Sequence, residues 1–451
     1  MITPFFFQPF CSFIQNHGPG RLKNDVSLVY HVAFWLIAFA WAFYFGVWVW
    51  KSSWAWFETG APWRKFYLIL AAAVLIRLAV ILFVNLPQVS DAGHYDQLAM
   101  TLAQTGNYED GGKPTAFRPV GYVAFLAGIY RIFGHNLWAA KLANLLLDVF
   151  SLLVLWKLFS FWKDEKTALK ATCMVAFFVP EIYSTQNLLS EQFFVFLWIL
   201  SIYLWEKAAG RKVWSFFSGI FFGLSALVRP VALVWSIIPA IIAVKQRRWV
   251  CLSAFLLMTA AVAAPWVYRN HDKFGRWALS THAGLGFWMG ANPQANGHYN
   301  MPDSLPFDLS DQGKAERAAW KLGWDYVRSH PLEYLRLGLV KEAVLFGLDY
   351  NFVFDLYEKP SHKELIWGIA GQAYWWILLF FGTIKAVPTL FFRRKRAEAG
   401  SLLPIWTLLC WAAVHFFFVG VGRYHHPVVP FFAFLAALVL PPDRQKPKTP
   451  R

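Results

Sequence analysis

Charge is scarce in this chain. Only 15% of its 451 residues are Asp, Glu, Lys or Arg, where a water-soluble domain carries about a quarter, so a soluble globular protein is excluded. There are four cysteines (Cys11, Cys173, Cys251 and Cys410), scattered and with no CxxC or Cys/His spacing. That excludes a disulfide framework and a zinc module and leaves buried thiols. No Walker A pattern occurs: Gly112-Lys113 runs into Pro114 and has no upstream glycine at the required distance. There is no D-x-D pair of the kind that holds a metal for a nucleotide sugar, and no nucleotide-binding domain. Residues 1–20 lack a basic region ahead of their apolar stretch, so a cleaved signal peptide is not expected. Internal repeats and low-complexity tracts are absent.

What fills the chain instead is apolar sequence, 57% hydrophobic and 19% aromatic, in runs near the roughly 20 residues that cross a bilayer core. Trp (25) and Tyr (17) are abundant enough to form interface belts. The expectation is an all-α polytopic membrane protein, a bundle of about 10–11 transmembrane helices with amphipathic outer-loop helices. The net charge of +16 comes largely from clusters between or after apolar runs: Arg211-Lys212, Lys245 to Arg248, Arg393 to Arg396, and the tail from Arg444. These are topology signals, and with no fold motif beside them nucleic acid is not an expected partner.

Spans are expected over 26–50, 66–86, 137–162, 168–182, 191–205, 214–228, 230–244, 249–267, 365–392, 402–419 and 425–440, with a short apolar helix at 119–133. The implied domains are an N-terminal extension (1–65), a membrane core (66–267) holding an outer loop (87–118), a polar cap (268–363) and a C-terminal membrane part (364–451). Placing the basic clusters inside puts the loop at Ser90, Arg229, the cap and Arg423 on the outer face. In the cap, 311–329 reads as a helix with Ala315, Ala318, Ala319 and Leu322 on one face, and 332–348 as an amphipathic helix at the interface.

The first long polar interruption is Ser90 to Tyr122. Its apolar residues Leu98, Ala99, Leu102 and Ala103 recur at helical spacing, so a helix lying on the membrane surface is expected, capped by Ser90 or Asp91 and ended by Gly106. Asp91, His94 and Tyr95 then share a face. Asp91 has two readings, a helix cap or a reactive carboxylate. Arg118, Arg229, Arg269 and Arg423 each stand at the outer end of an apolar run, and Glu191 at the edge of another. Charges at membrane depth face a cavity or a partner, and converging guanidinium groups suit a lipid phosphate. The competing reading for each arginine is snorkelling to headgroups.

A family resemblance rests on several stretches in order. They are SDAGHYDQLAMTLAQTGNY followed by FRPVGYVAFLAGIYRIFG, LLSEQFF at 188–194, GLSALVRP at 223–230, PWVYRNHDKFGRW at 265–277, GANPQANGHY at 290–299, and RYHHPVVPFF at 423–432. Together they resemble the GT-C glycosyltransferases, in particular protein O-mannosyltransferases and the lipid A aminoarabinose and galacturonosyl transferases, from Phe66 onward. The resemblance implies a polyprenyl-phosphate-sugar donor and an acceptor at the outer face of a bacterial inner membrane. It implies Asp91 as general base and Arg118 as the phosphate-binding cation, with Arg269 or Arg423 beside it. His94, Tyr95, Glu191, Arg229, Asn292 and His425 are the further substrate contacts expected. Some relatives carry a carboxylate-Lys-Pro-Pro where this chain has Phe117-Arg118-Pro119, so no metal ligand and no cofactor is expected. The expected partners are the lipid-linked donor, a lipid or glycan acceptor and membrane lipids. Two other readings are a transporter or flippase of lipid-linked saccharides, which should show repeat symmetry, and a ligase moving a whole oligosaccharide. The sugar and the acceptor stay open.

Overall fold

The computed structural model describes residues 56–84, 86–209, 211–299, 301–302, 304–347, 362–391 and 399–439. The expected span at 26–50, most of the 1–65 extension, Arg393 to Arg396 and the basic tail lie outside the described residues. Helices α1 (Pro62–Phe83), α2 (Ser90–Thr105), α3 (Val120–Phe133), α4 (Leu137–Trp162), α5 (Glu165–Ala176), α6 (Val179–Ser184), α7 (Glu191–Lys207) and α8 (Val213–Val228) come first. Then follow α9 (Ala232–Trp235), α10 (Ile237–Lys245), α11 (Trp249–Phe274), α12 (Ala283–Met289), α13 (Gln312–Ser329), α14 (Pro331–Gly347), α15 (His362–Phe391), α16 (Ala399–Phe417), a 3-10 turn (Gly422–Val428) and α17 (Val429–Val439). The all-helical, multi-pass membrane class is borne out. Helices at 62–83, 137–162, 249–274 and 368–390 are long and apolar enough to cross a membrane, and shorter apolar helices stand at 120–133, 213–228, 232–245 and 402–417.

Prolines break two of the expected spans. The run 168–182 divides into α5 and α6, because Pro180 has no N–H to return to the carbonyl of Ala176. That carbonyl instead accepts from Arg77 Nη1 at 2.8 Å. The other side of Arg77 meets Asp148 of α4, Nε to Oδ2 at 2.9 Å. The pair ties α1, α4 and α5 together in the interior, where removing one partner costs about 3–5 kcal/mol. In the same way Pro239 leaves the carbonyl of Trp235 without a helical donor, and the run 230–244 splits into α9 and α10.

Three features place the functional end. Leu98 and Ala99 of α2 are buried against α3, so the apolar stripe of α2 covers protein and not the membrane surface. Strands β1 (Glu109–Asp110) and β2 (Lys113–Pro114) form a hairpin after α2. Its turn has positive φ at both Gly111 and Gly112, 56° and 75°, the geometry of a tight two-residue hairpin. Gly121, in the first turn of α3, lies so close to the end of α8 that a Cβ there would sit 2.7 Å from the Val228 backbone nitrogen. This approach brings Arg118, just before α3, near Arg229, just after α8. In the cap, Ala315 and Ala319 of α13 are buried as expected while Leu322 is exposed, and Asp311 caps α13 by accepting from Lys314 N at 3.0 Å. The expected span at 425–440 begins instead as the 3-10 turn, which contains Pro427.

Candidate functional site

Asp91 lies in the first turn of α2, yet no side chain caps that helix. Its N-cap position is Val89, and neither Ser90 nor Asp91 takes the expected capping role. The carboxylate of Asp91 is instead held between two guanidinium groups: Oδ1 accepts from Arg118 Nη2 and Oδ2 from Arg423 Nη2. Beside this triad Glu191, buried at the start of α7, pairs with Arg229, with Nη2 2.6 Å from Oε1, and Arg423 Nε stands 3.7 Å from the same oxygen. Arg229 Nε donates to Ser190 Oγ at 3.1 Å. Three arginines and two carboxylates therefore form one continuous ionic row.

Each arginine is aimed by its surroundings. The Arg118 carbonyl accepts from Tyr108 OH at 2.8 Å, and its Nε donates to His94 Nδ1 at 3.3 Å. His94 Nε2 faces Asp110 Oδ2 of the hairpin at 3.1 Å, an arrangement that puts the ring proton on Nε2. The Arg118 guanidinium lies 5.4 Å over the Tyr95 ring. Arg229 and Arg423 both cover Tyr424, at 5.3 and 5.8 Å. Aromatic faces under a guanidinium hold it while leaving its outer edge available. Burial by itself raises the Asp91 carboxyl, but the charges of Arg423 and Arg118 outweigh it and hold Asp91 well below the usual carboxylate range.

The row lines a cavity of about 320 Å³. Asp91, Tyr95, Arg118, Glu191, Arg229 and Arg423 are among its polar lining residues, and Val228, Val231, Val234, Val414, Phe418 and Val419 among its apolar ones. A group with an anionic head and a hydrocarbon tail matches that combination. His282 and Tyr299 complete the wall. Burial, reinforced by Arg118, pushes His282 down to about 4, so its imidazole is neutral.

Of the residues expected from sequence, Asp91, Tyr95, Arg118, Glu191, Arg229 and Arg423 meet in this cavity. His94 stands behind Arg118 and lines a neighbouring cavity instead. Three residues are not brought in. Arg269 clips the hairpin, donating from Nη1 to the Thr115 carbonyl at 2.6 Å and from Nη2 to the Tyr108 carbonyl at 2.9 Å. Asn292 closes the end of α12, with Nδ2 on the Trp288 and Met289 carbonyls at 2.9 and 3.2 Å. His425 is fully buried, stacked on Trp375 at 3.9 Å, with Nδ1 2.7 Å from the Leu345 carbonyl. Each of these polar contacts goes to a backbone carbonyl. The sequence reading missed His282, Tyr299, Tyr424 and Ser190. Tyr299 and Tyr424 lie inside motifs already marked, whereas nothing local distinguishes His282. Among the described residues no group of three His, Cys, Asp or Glu side chains could hold a metal ion; the two site carboxylates are each turned to guanidinium.

Comparison with known proteins gives a family match over part of the chain. A model of dolichyl-phosphate-mannose-protein mannosyltransferases matches residues 118–268, a segment that begins at Arg118 and contains Glu191 and Arg229. No curated protein matches. Among solved structures, ArnT from Cupriavidus metallidurans bound to undecaprenyl phosphate aligns over 83% of this chain and 76% of that one, at 12% identity and TM-score 0.41. The Archaeoglobus fulgidus oligosaccharyltransferase in its apo form aligns over 82% of this chain and 50% of its own, at 15% identity and TM-score 0.48. The chain thus spans about half the length of the archaeal protein.

Proposed function

We propose that this chain, whose motifs resemble those of the GT-C glycosyltransferases and which matches a mannosyltransferase family model over 118–268, transfers a sugar from a polyprenyl-phosphate-linked donor to an acceptor hydroxyl at the periplasmic face of a bacterial inner membrane. The acceptor is a glycolipid, polysaccharide or protein. One observation carries the reading: Asp91 is held by Arg118 and Arg423 in a cavity lined by three arginines and by several apolar side chains.

The same pairing suggests how the base is turned on. With both oxygens on guanidinium, Asp91 is a weak base. A donor phosphate entering the cavity competes for Arg118 and Arg423, which bind phosphate in bidentate fashion. As they turn to it, Asp91 loses its counter-charges and its basicity rises. Asp91 then takes the acceptor hydroxyl proton. The oxygen forms a bond to the anomeric carbon through an oxocarbenium-like state, as in glycoside cleavage. The bond from that carbon to the phosphate oxygen breaks, its electron pair leaves on the polyprenyl phosphate, and the arginines stabilise that charge. A single displacement inverts the anomeric centre. The route uses the chain's own residues and no cofactor.

The test offers purified protein in nanodiscs a panel of undecaprenyl-phosphate sugars and, separately, nucleotide sugars, with a membrane extract as acceptor. Transfer from the lipid-linked donors alone is expected. Turnover of a nucleotide sugar without lipid carrier would overturn the proposal, and lipid movement without transfer would favour a transporter.

A further inference from the structure

A second cavity, of about 270 Å³, adjoins the first. It lies between the outer loop and the cap. His94, Asp110 and Phe117 come from the loop side, and Thr281, Phe307 and Gln312 are among the cap residues that close it. Phe117 and His282 form the partition, their rings in edge contact at 4.4 Å, with Phe117 facing the second cavity and His282 the first. His94 belongs to the second cavity, while its Nδ1 holds Arg118 in the first. An occupant of the second cavity is therefore one side chain away from the Arg118–Asp91 pair.

The two cavities differ in charge. The first is lined by three arginines. Among the described residues the second is lined by no lysine or arginine and by two carboxylates, Asp110 and Glu316. Phe117 and Phe307 supply apolar rings. Gln312 is hydrogen-bonded to Thr281, Ala116 and Thr115, His94 to Arg118 and Asp110, and Glu316 to Gly284 N and Trp320 Nε1, so what the lining offers an occupant is the remaining lone pairs of Thr281, Asp110 and Glu316 and the second amide proton of Gln312. Aromatic faces with carboxylate and amide partners suit a sugar ring, which presents C–H groups on its faces and hydroxyl donors around its rim. The lining would repel a phosphate or a uronate, since juxtaposed like charge is an effective means of exclusion.

Resting on the reading of the first cavity as the donor site, we propose that the second cavity binds the sugar of the acceptor, and that it selects an uncharged or amine-bearing glycose against an anionic one. The Phe117–His282 partition stands between this cavity and Asp91, so the reacting hydroxyl of the occupant must pass its edge to reach the base.

Binding can be read without any donor. Leu309, exposed at this cavity, is replaced as Leu309→Cys in full-length protein whose native cysteines are changed to alanine, and its maleimide labelling rate is followed in nanodiscs. Methyl β-glucoside and methyl β-glucosaminide should slow labelling about fivefold or more at saturation, with methyl β-glucuronide about tenfold weaker. Phe307→Ala should abolish the protection, and Asp110→Lys should shift it toward the glucuronide. Equal protection by all three glycosides, or none by any, would overturn the inference. In a parallel transfer assay with the lipid-linked donors, Phe307→Ala should raise the acceptor KM about tenfold and leave the donor KM unchanged; an unchanged acceptor KM would also overturn it. Protection without any transfer would leave the cavity assignment standing and remove the donor reading.

Discussion

Asp91 and Arg423 are 332 residues apart in the chain and joined by a hydrogen-bonded ion pair. The first stands at the start of an outer helix and the second in a 3-10 turn near the other end of the chain, so the pair closes the site. Arg118 completes the grip from the loop between them.

Replacing Asp91 by Asn should leave the helix in place, since no side chain caps α2, and should lower transfer about 10²–10⁴-fold, the usual contribution of a positioned base. A variant within a few-fold of the wild-type rate at matched amounts of folded protein would move the base elsewhere, with Glu191 next to test. The substitution should also show in acid. The Asp91 carboxyl is held below its ordinary value, so its contribution to stability is present at neutral pH and lost as pH falls through the carboxylate range and below. Melting in detergent should therefore be less acid-sensitive in Asp91→Asn than in the wild type.

Arg118→Ala and Arg423→Ala should each weaken donor use by about 10–150-fold, the range that about 1.5–3 kcal/mol for a charge-assisted bond implies. Lysine at either position should recover only part, because it keeps the charge and loses the planar fork. Titration with undecaprenyl phosphate reads this directly as a rise in melting temperature; wild-type protection in Arg423→Ala would mean that this arginine serves Asp91 alone.

Lys341 of α14 is fully buried, with Nζ 3.3 and 3.4 Å from the carbonyls of Phe416 and Phe417 and 4.4 Å over the Tyr334 ring. Burial pushes it down to about 7, against about 10.4 in an unfolded chain. Between those values the unfolded chain binds more protons, so stability should rise with pH from about 7 to 10. Lys341→Met should flatten that rise in melting scans; an unchanged slope would assign it to another group.

A single cysteine placed at Asp110 should react with an impermeant maleimide in intact cells, and one at Lys212 only after permeabilisation. The expectation follows from the distribution of basic clusters. Labelling at Asp110 that requires permeabilisation would reverse the orientation.

Much of this was legible in the sequence, for a physical reason. A carboxylate or guanidinium beside a membrane-length apolar run is costly unless it has a task, and Asp91, Glu191, Arg118, Arg229 and Arg423 stood out on that ground and meet in one cavity. The same criterion overreached for Arg269, whose task is to satisfy backbone carbonyls of the hairpin. Asn292 and His425 show the same ambiguity, since a polar side chain inside a motif serves a fold as readily as a ligand. His282 gave no signal because its place depends on the packing of the cap onto the outer loop. The breaks before Pro180 and Pro239 were readable from the missing N–H groups, and the long hydropathy runs concealed them.

The shortness of α3 and α8 has a consequence for the surrounding lipid. With 14 and 16 residues at 1.5 Å per residue they reach about 21 and 24 Å, less than the roughly 30 Å of an average hydrocarbon core. Each has a site arginine next to its outer end, Arg118 before α3 and Arg229 after α8. A bilayer accommodates such mismatch by thinning, at a modest cost for every ångström. Where the bilayer thins to match α8, the one of the two expected to span, a lipid-borne phosphate would meet the arginines below the general headgroup level. Lengthening the acyl chains of the host bilayer would deepen that dimple and make it costlier, so the proposed transfer should slow as the membrane thickens.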